Sequence, residues 1–144
     1  MIPNIIAADK TMYIEAIDKK PEYQFMFLQP RWWGKSTFLQ TLLNYYDKTK
    51  RSSFEDTFGD LYIGRHPTKD RNSLLVLSFD FSGITAVRSF AETRAGFNEE
   101  VHLALERFLK ANAPFLGNPN LRDYIIEDRP AKSLQRVIVS ISLI

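Results

Sequence analysis

The feature that most constrains the fold is a change of hydrophobic period between Tyr23 and Asp47. Tyr23 to Leu28 (YQFMFL) is an apolar, aromatic-rich run of strand length. From Ser36 to about Asp47 the apolar residues recur at helical spacing instead. These helical positions are Phe38, Leu39, Leu42, Leu43 and Tyr46. The order predicts a strand, a loop and an amphipathic helix.

Residues 29 to 37 (QPRWWGKST) form that loop and match the second half of the pattern G-x-x-x-x-G-K-[ST], with Gln29 at the first glycine. Gly34 would let the backbone approach phosphates at the helix N-terminus, and Lys35 can reach the β and γ phosphates. Ser36 would place its hydroxyl on magnesium. The pattern predicts a P-loop that binds ATP with Mg²⁺, with Lys35 as the catalytic cation. The predicted nucleotide-binding residues are Arg31, Trp33, Gly34, Lys35, Ser36 and Thr37.

A second apolar run, Leu74 to Phe81, is nearly continuous and predicts a strand covered on both faces in a parallel sheet. Thr11 to Lys20 predicts a short helix. Ser89 and Glu92 form a capping-box pattern ahead of a long helix that ends near Pro114. Alternating strands and helices predict an α/β fold, a P-loop NTPase-like parallel sheet flanked by helices.

Residues 9 to 90 resemble the AAA-ATPase-like family of P-loop ATPase relatives. Its landmarks are matched by Asp9-Lys10-Thr11, by the loop from Pro30 to Ser36, by Leu61-Tyr62-Ile63-Gly64 and by Asp80-Phe81-Ser82. The resemblance implies an ATPase-type nucleotide site. We interpret Asp9-Lys10-Thr11 itself as a helix start rather than as part of that site.

Two positions of the loop depart from the family. The family usually has arginine at the position of Gln29, and Trp32 replaces a second arginine, so the loop keeps one guanidinium, on Arg31. We interpret Trp32 and Trp33 as residues packed beneath the loop, with adenine stacking as the alternative.

Hydrolysis also needs an acidic residue that holds magnesium. By pattern this is Asp80, at the end of the second apolar run; the alternative is a strand-end carboxylate in a turn with Ser82 and Gly83. The resemblance instead implies an Asp-Glu pair on a later strand, which this sequence does not reach. Two functions stay open: an ATP-binding domain whose water-activating acid is not identified, and a regulatory or interaction module that has lost nucleotide binding.

Composition and charge limit the classes of binding partner that we expect. The formal charge of +2 gives no sign of a dedicated nucleic-acid binder, and the absence of cysteine excludes disulfides and thiol chemistry. No apolar run reaches the roughly 18 residues of a membrane span, so we expect no membrane partner and an intracellular protein, cytoplasmic or nuclear. The β-branched residues from Val137 to Ile144 predict a last strand without its continuation. We expect one P-loop domain over residues 1–144, an incomplete N-terminal portion.

Overall fold

The computed structural model describes residues 9–22, 24–28, 30, 32–84, 89–117, 120–126 and 129–141. Contacts between Cα atoms divide the chain into two compact units, Met1–Val76 and Leu77–Ile144. The first unit holds the helices α1 (Met12–Asp18), α2 (Lys35–Tyr46), α3 (Phe54–Phe58) and α4 (Tyr62–Arg65), and a 3₁₀ helix (Lys48–Ser53). The second holds α5 (Phe90–Ala111), a 3₁₀ helix (Ala113–Phe115), α6 (Leu121–Tyr124) and α7 (Pro130–Ile141).

The predicted α/β fold with a parallel sheet is wrong. The described residues contain no β-strand, and 61% of them are helical. Residues 24–28 and 75–81, which belong to the two predicted strands, have no regular secondary structure, and Tyr23 lies outside the described residues. Within the described ranges, β-type pairing is confined to one parallel bridge between Asp47 and Leu74. An apolar run indicates side chains that favour burial, whereas a strand also needs a neighbouring strand for its N–H and C=O groups.

Aromatic side chains make the core of the first unit. Tyr45 of α2 is fully buried, and its ring centroid lies 6.0 Å from that of Phe54 and 5.6 Å from that of Phe58. Ile14 of α1 and Ile63 of α4 complete this buried cluster. The helices predicted over Thr11–Lys20 and from Ser36 to about Asp47 are confirmed as α1 and α2.

A capping box starts the long helix of the second unit, as the sequence predicts. Ser89 N–H donates to Glu92 Oε2 at 3.0 Å, and Glu92 N–H donates to Ser89 Oγ. The helix α5 buries one face through positions spaced three and four apart, which are Val101, Ala104, Leu105, Phe108 and Leu109. Neither α5 nor any other described helix is long and apolar enough to cross a membrane.

The predicted strand over Val137–Ile144 is wrong, because residues 137–141 belong to α7 and residues 142–144 lie outside the described part. Ser133 and Val137 are both buried and lie four residues apart, which is a helical spacing. Pro130 stands at the first position of α7, where its missing N–H costs no hydrogen bond. Packing of α7 against α5 outweighs the strand preference of the β-branched residues.

Candidate functional site

The loop that sequence analysis singled out leads directly into α2. We call residues 29–34 the Gly34 loop; Gln29 and the predicted nucleotide-binding residue Arg31 lie outside the described residues. Lys35, Ser36 and Thr37 form the first turn of α2, and all three are exposed. The structure therefore leaves these three predicted site residues open to a ligand.

Gly34 gives the loop its final turn. Its φ of 77° lies in the left-handed region, which glycine adopts without steric cost, and it is the N-cap residue of α2. The first helical hydrogen bond runs from Phe38 N–H to Gly34 O at 2.9 Å. No side chain at the N-cap accepts from the amides of the first turn. A helix of 12 residues with such an N-terminus favours bound anions.

Two ammonium groups lie against the backbone of the loop. Lys35 Nζ donates to the Pro30 carbonyl oxygen at 3.0 Å, and Lys10 Nζ donates to the Trp33 carbonyl oxygen at 2.7 Å. A methyl group on Gly34 would lie 3.8 Å from Lys10 Nζ, so this second ammonium is also close to the turn at Gly34. Lys10 was not predicted as a site residue from the sequence, although its place in the Asp9-Lys10-Thr11 landmark could have pointed to it.

A cleft of about 670 Å³ opens beside the loop. Lys10, Lys20 and Lys35 line it together with Ser36 and Trp33. Its apolar wall comes from α1, the extended segment 24–28 and α2, through Tyr13, Ala16, Ile17, Phe25, Met26, Phe27, Phe38 and Leu39. None of the described lining residues is a carboxylate. The cleft thus combines an aromatic surface with three cations, an arrangement suited to an anion that carries an apolar or aromatic group.

The two tryptophans of the loop differ in their surroundings. Trp33 is 61% exposed and lines the cleft. Trp32 is 101% exposed and has a positive φ of 69°, so the interpretation that it packs beneath the loop is wrong. The change from the family's arginine at this position therefore puts an apolar ring in solvent rather than in the core.

The backbone around Lys10 is held by hydrogen bonds to α4. Asp9 Oδ2 accepts from Tyr62 N–H at 2.7 Å, and Thr11 Oγ1 accepts from Ile63 N–H at 3.1 Å. Partial burial acts to raise the pKa of Asp9, but hydrogen bonds from Thr11 and Tyr62 outweigh it and hold that pKa below its usual value. Two landmarks that are distant in sequence, Asp9-Lys10-Thr11 and Leu61-Tyr62-Ile63-Gly64, are therefore in direct contact.

The predicted magnesium ligands belong to different units. Ser36 lies in the first unit, and Asp80 lies in the second. The Asp80 carboxylate accepts from Ser82 N–H at 2.9 Å, and its hydrogen bonds with the Ser82 backbone and hydroxyl lower its pKa, which keeps it ionised. In the described ranges, no group of three or more His, Cys, Asp or Glu side chains is arranged to hold a metal ion.

Comparison with known proteins gives one result for the whole chain. The model of the AAA-ATPase-like family, described as predicted AAA-ATPases, matches residues 3–143. Comparisons with curated proteins and with solved structures gave no significant match. The family match spans both structural units, and it includes the loop, the cleft and the landmark contacts of α4. The chain belongs to the AAA-ATPase-like family.

Proposed function

We propose that this chain binds a nucleoside triphosphate, ATP with magnesium, at the Gly34 loop. The observation that carries the proposal is the cleft itself, in which Lys10 and Lys35 border the loop and aromatic side chains line the same cavity. A triphosphate supplies the anion that these ammonium groups attract, and a purine supplies the flat ring that an aromatic wall accommodates. Membership of a family of predicted AAA-ATPases supports the same ligand.

In the proposed complex the first turn of α2 binds the phosphates. The N–H groups of Ser36 and Thr37 lie in the first turn of α2, where the helix provides no carbonyl acceptor for them. A phosphate oxygen can therefore accept from these N–H groups. Lys35 exchanges the Pro30 carbonyl for a phosphate oxygen, which places its charge where it stabilises a polyanion. Trp33 borders the cleft, and we assign Arg31 to the same ligand from its position in the loop.

The magnesium part of the proposal assigns the Ser36 hydroxyl as a ligand. Hard oxygen ligands of this kind suit Mg²⁺, which also keeps waters and binds substrate phosphates. Bound magnesium would neutralise charge on the phosphates, and Lys35 is the residue proposed to stabilise charge that develops during phosphoryl transfer. A Ser36→Ala variant tests this assignment, because it should weaken binding of ATP with magnesium and leave binding without magnesium unchanged.

Thermal unfolding with and without ATP and magnesium tests the proposal. Ligand at 100 times its dissociation constant should stabilise the protein by about 2.7 kcal/mol. Lys35→Ala should abolish this stabilisation, whereas Lys69→Ala, which removes the same charge from an exposed turn, should preserve it. Absence of any stabilisation in well-folded wild-type protein would refute nucleotide binding and support the alternative of a regulatory or interaction module without a nucleotide.

A further inference from the structure

We infer that Lys10 is a second phosphate-binding cation, which acts on the triphosphate together with Lys35. The inference rests on the proposed function and adds a residue from outside the P-loop pattern. Lys10 precedes α1 and is 23 residues from Trp33 in sequence, yet its Nζ donates to the Trp33 carbonyl oxygen at 2.7 Å. The tertiary fold, and not the local sequence motif, therefore places this ammonium group next to the loop.

The position of Lys10 is fixed before any ligand binds. Its neighbours Asp9 and Thr11 are hydrogen-bonded to the backbone N–H groups of Tyr62 and Ile63. Thr11 is 4% exposed, and Lys10 itself is partly buried. The Lys10 side chain is itself held by its hydrogen bond to the Trp33 carbonyl oxygen, so it loses less conformational freedom on binding than a lysine without such a contact. Lys10 is thus preorganised beside the turn at Gly34.

The contact that Lys10 makes in the structure is one that a phosphate can replace. A carbonyl oxygen carries only a partial charge, whereas a phosphate oxygen carries a formal one and makes a stronger, charge-assisted hydrogen bond with an ammonium group. Lys35 makes the same kind of contact, with the Pro30 carbonyl oxygen. Both ammonium groups line one cleft. The two lysines therefore converge on the same anion.

Intrinsic fluorescence offers a direct test, because the chain has 2 tryptophans and both lie in the Gly34 loop. The probes are ATP and inorganic tripolyphosphate, each titrated into wild-type protein, Lys10→Met and Lys10→Arg. Loss of a hydrogen bond to a charged group should weaken the binding of both probes by roughly 10- to 100-fold in Lys10→Met. Lys10→Arg keeps the charge and should restore most of the affinity.

Lys69→Met is the matched control, since Lys69 lies in an exposed turn, does not line the cleft, and the substitution removes the same charge. It should weaken binding by less than about fivefold, the most that an exposed charge typically contributes. Wild-type affinity in Lys10→Met would overturn the inference while leaving nucleotide binding intact, and so would equal losses in the Lys10 and Lys69 variants. Failure of the wild type to bind either probe would instead refute the proposed function, and the inference with it.

Discussion

Replacing Gly64 with alanine should destabilise the first unit, because the added methyl group has no space. A Cβ atom at this position would lie 1.8 Å from the carbonyl oxygen of Phe58 and 2.5 Å from its carbonyl carbon. Real Cβ contacts essentially never fall below 3.0 Å. The backbone of α3 or α4 must therefore move by more than an ångström. The close approach of these two helices also explains why glycine stands in the family landmark at residues 61–64.

The loss in the free energy of unfolding depends on the buried residues around Gly64. Phe58 and Ile63 are 2% and 0% exposed, and both belong to the buried cluster of the first unit. A backbone shift between them displaces the Phe58 ring from its contacts with Tyr45 and Phe54. Overpacking of a well-packed core typically costs about 1–3 kcal/mol. Urea unfolding of Gly64→Ala should show a loss of this size in the free energy of unfolding.

Gly96→Ala is the control for the general effect of replacing a glycine within a helix. Gly96 lies within α5, and a methyl group there would meet no heavy atom within 4 Å. Alanine should therefore stabilise the protein by roughly 0.5–1 kcal/mol, since glycine loses more conformational entropy in a helix. The steric argument is refuted if Gly64→Ala is as stable as wild type, or if both variants change stability in the same direction.

Three further predictions concern stability. Ser89→Ala removes the N-cap contact with Glu92 and should cost about 1 kcal/mol in the unfolding free energy, measured in urea. The lowered pKa of Asp9 stabilises the fold above the unfolded-state pKa of about 3.9, and this stabilisation is lost as pH falls through the folded-state pKa. Asp9→Asn should therefore flatten the acid limb of a stability-against-pH curve; an unchanged limb would contradict this. Tyr46→Phe removes the hydroxyl that donates to Asp18 and should destabilise by about 1–3 kcal/mol, whereas wild-type stability would show that water replaces it.

The parts of the site that sequence could predict are local. Gly34, Lys35 and Ser36 are consecutive, and their roles depend on a turn and on the first turn of the helix that follows. Lys10 could not be assigned in this way, because its contact with Trp33 depends on how α1 packs against α2 and α4. The contacts between the landmark residues at 9–11 and 61–64 could not be predicted for the same reason, because they join segments that are distant in sequence.

The helices α2 and α5 were predictable and the strands were not, for a physical reason. Hydrogen bonds of α2 and α5 close within each helix, so the spacing of apolar residues and the Ser89 cap were sufficient to predict them. A strand depends on a partner elsewhere in the chain. In the second apolar run, Phe79 and Phe81 stack on each other and Phe81 stacks on Phe97 of α5, so these aromatic residues make ring contacts without forming a strand.

Calorimetric titration of ATP into the full chain, with and without magnesium, measures directly whether the Gly34 loop binds a nucleotide. We expect saturable binding at one site, strengthened by magnesium and at least about tenfold weaker in Lys35→Ala, because that variant loses a hydrogen bond from a charged group. The Lys69→Ala protein should bind like the wild type. No binding by folded wild-type protein, or equal affinity in wild type and Lys35→Ala, would contradict the assignment of the Gly34 loop as a nucleotide site.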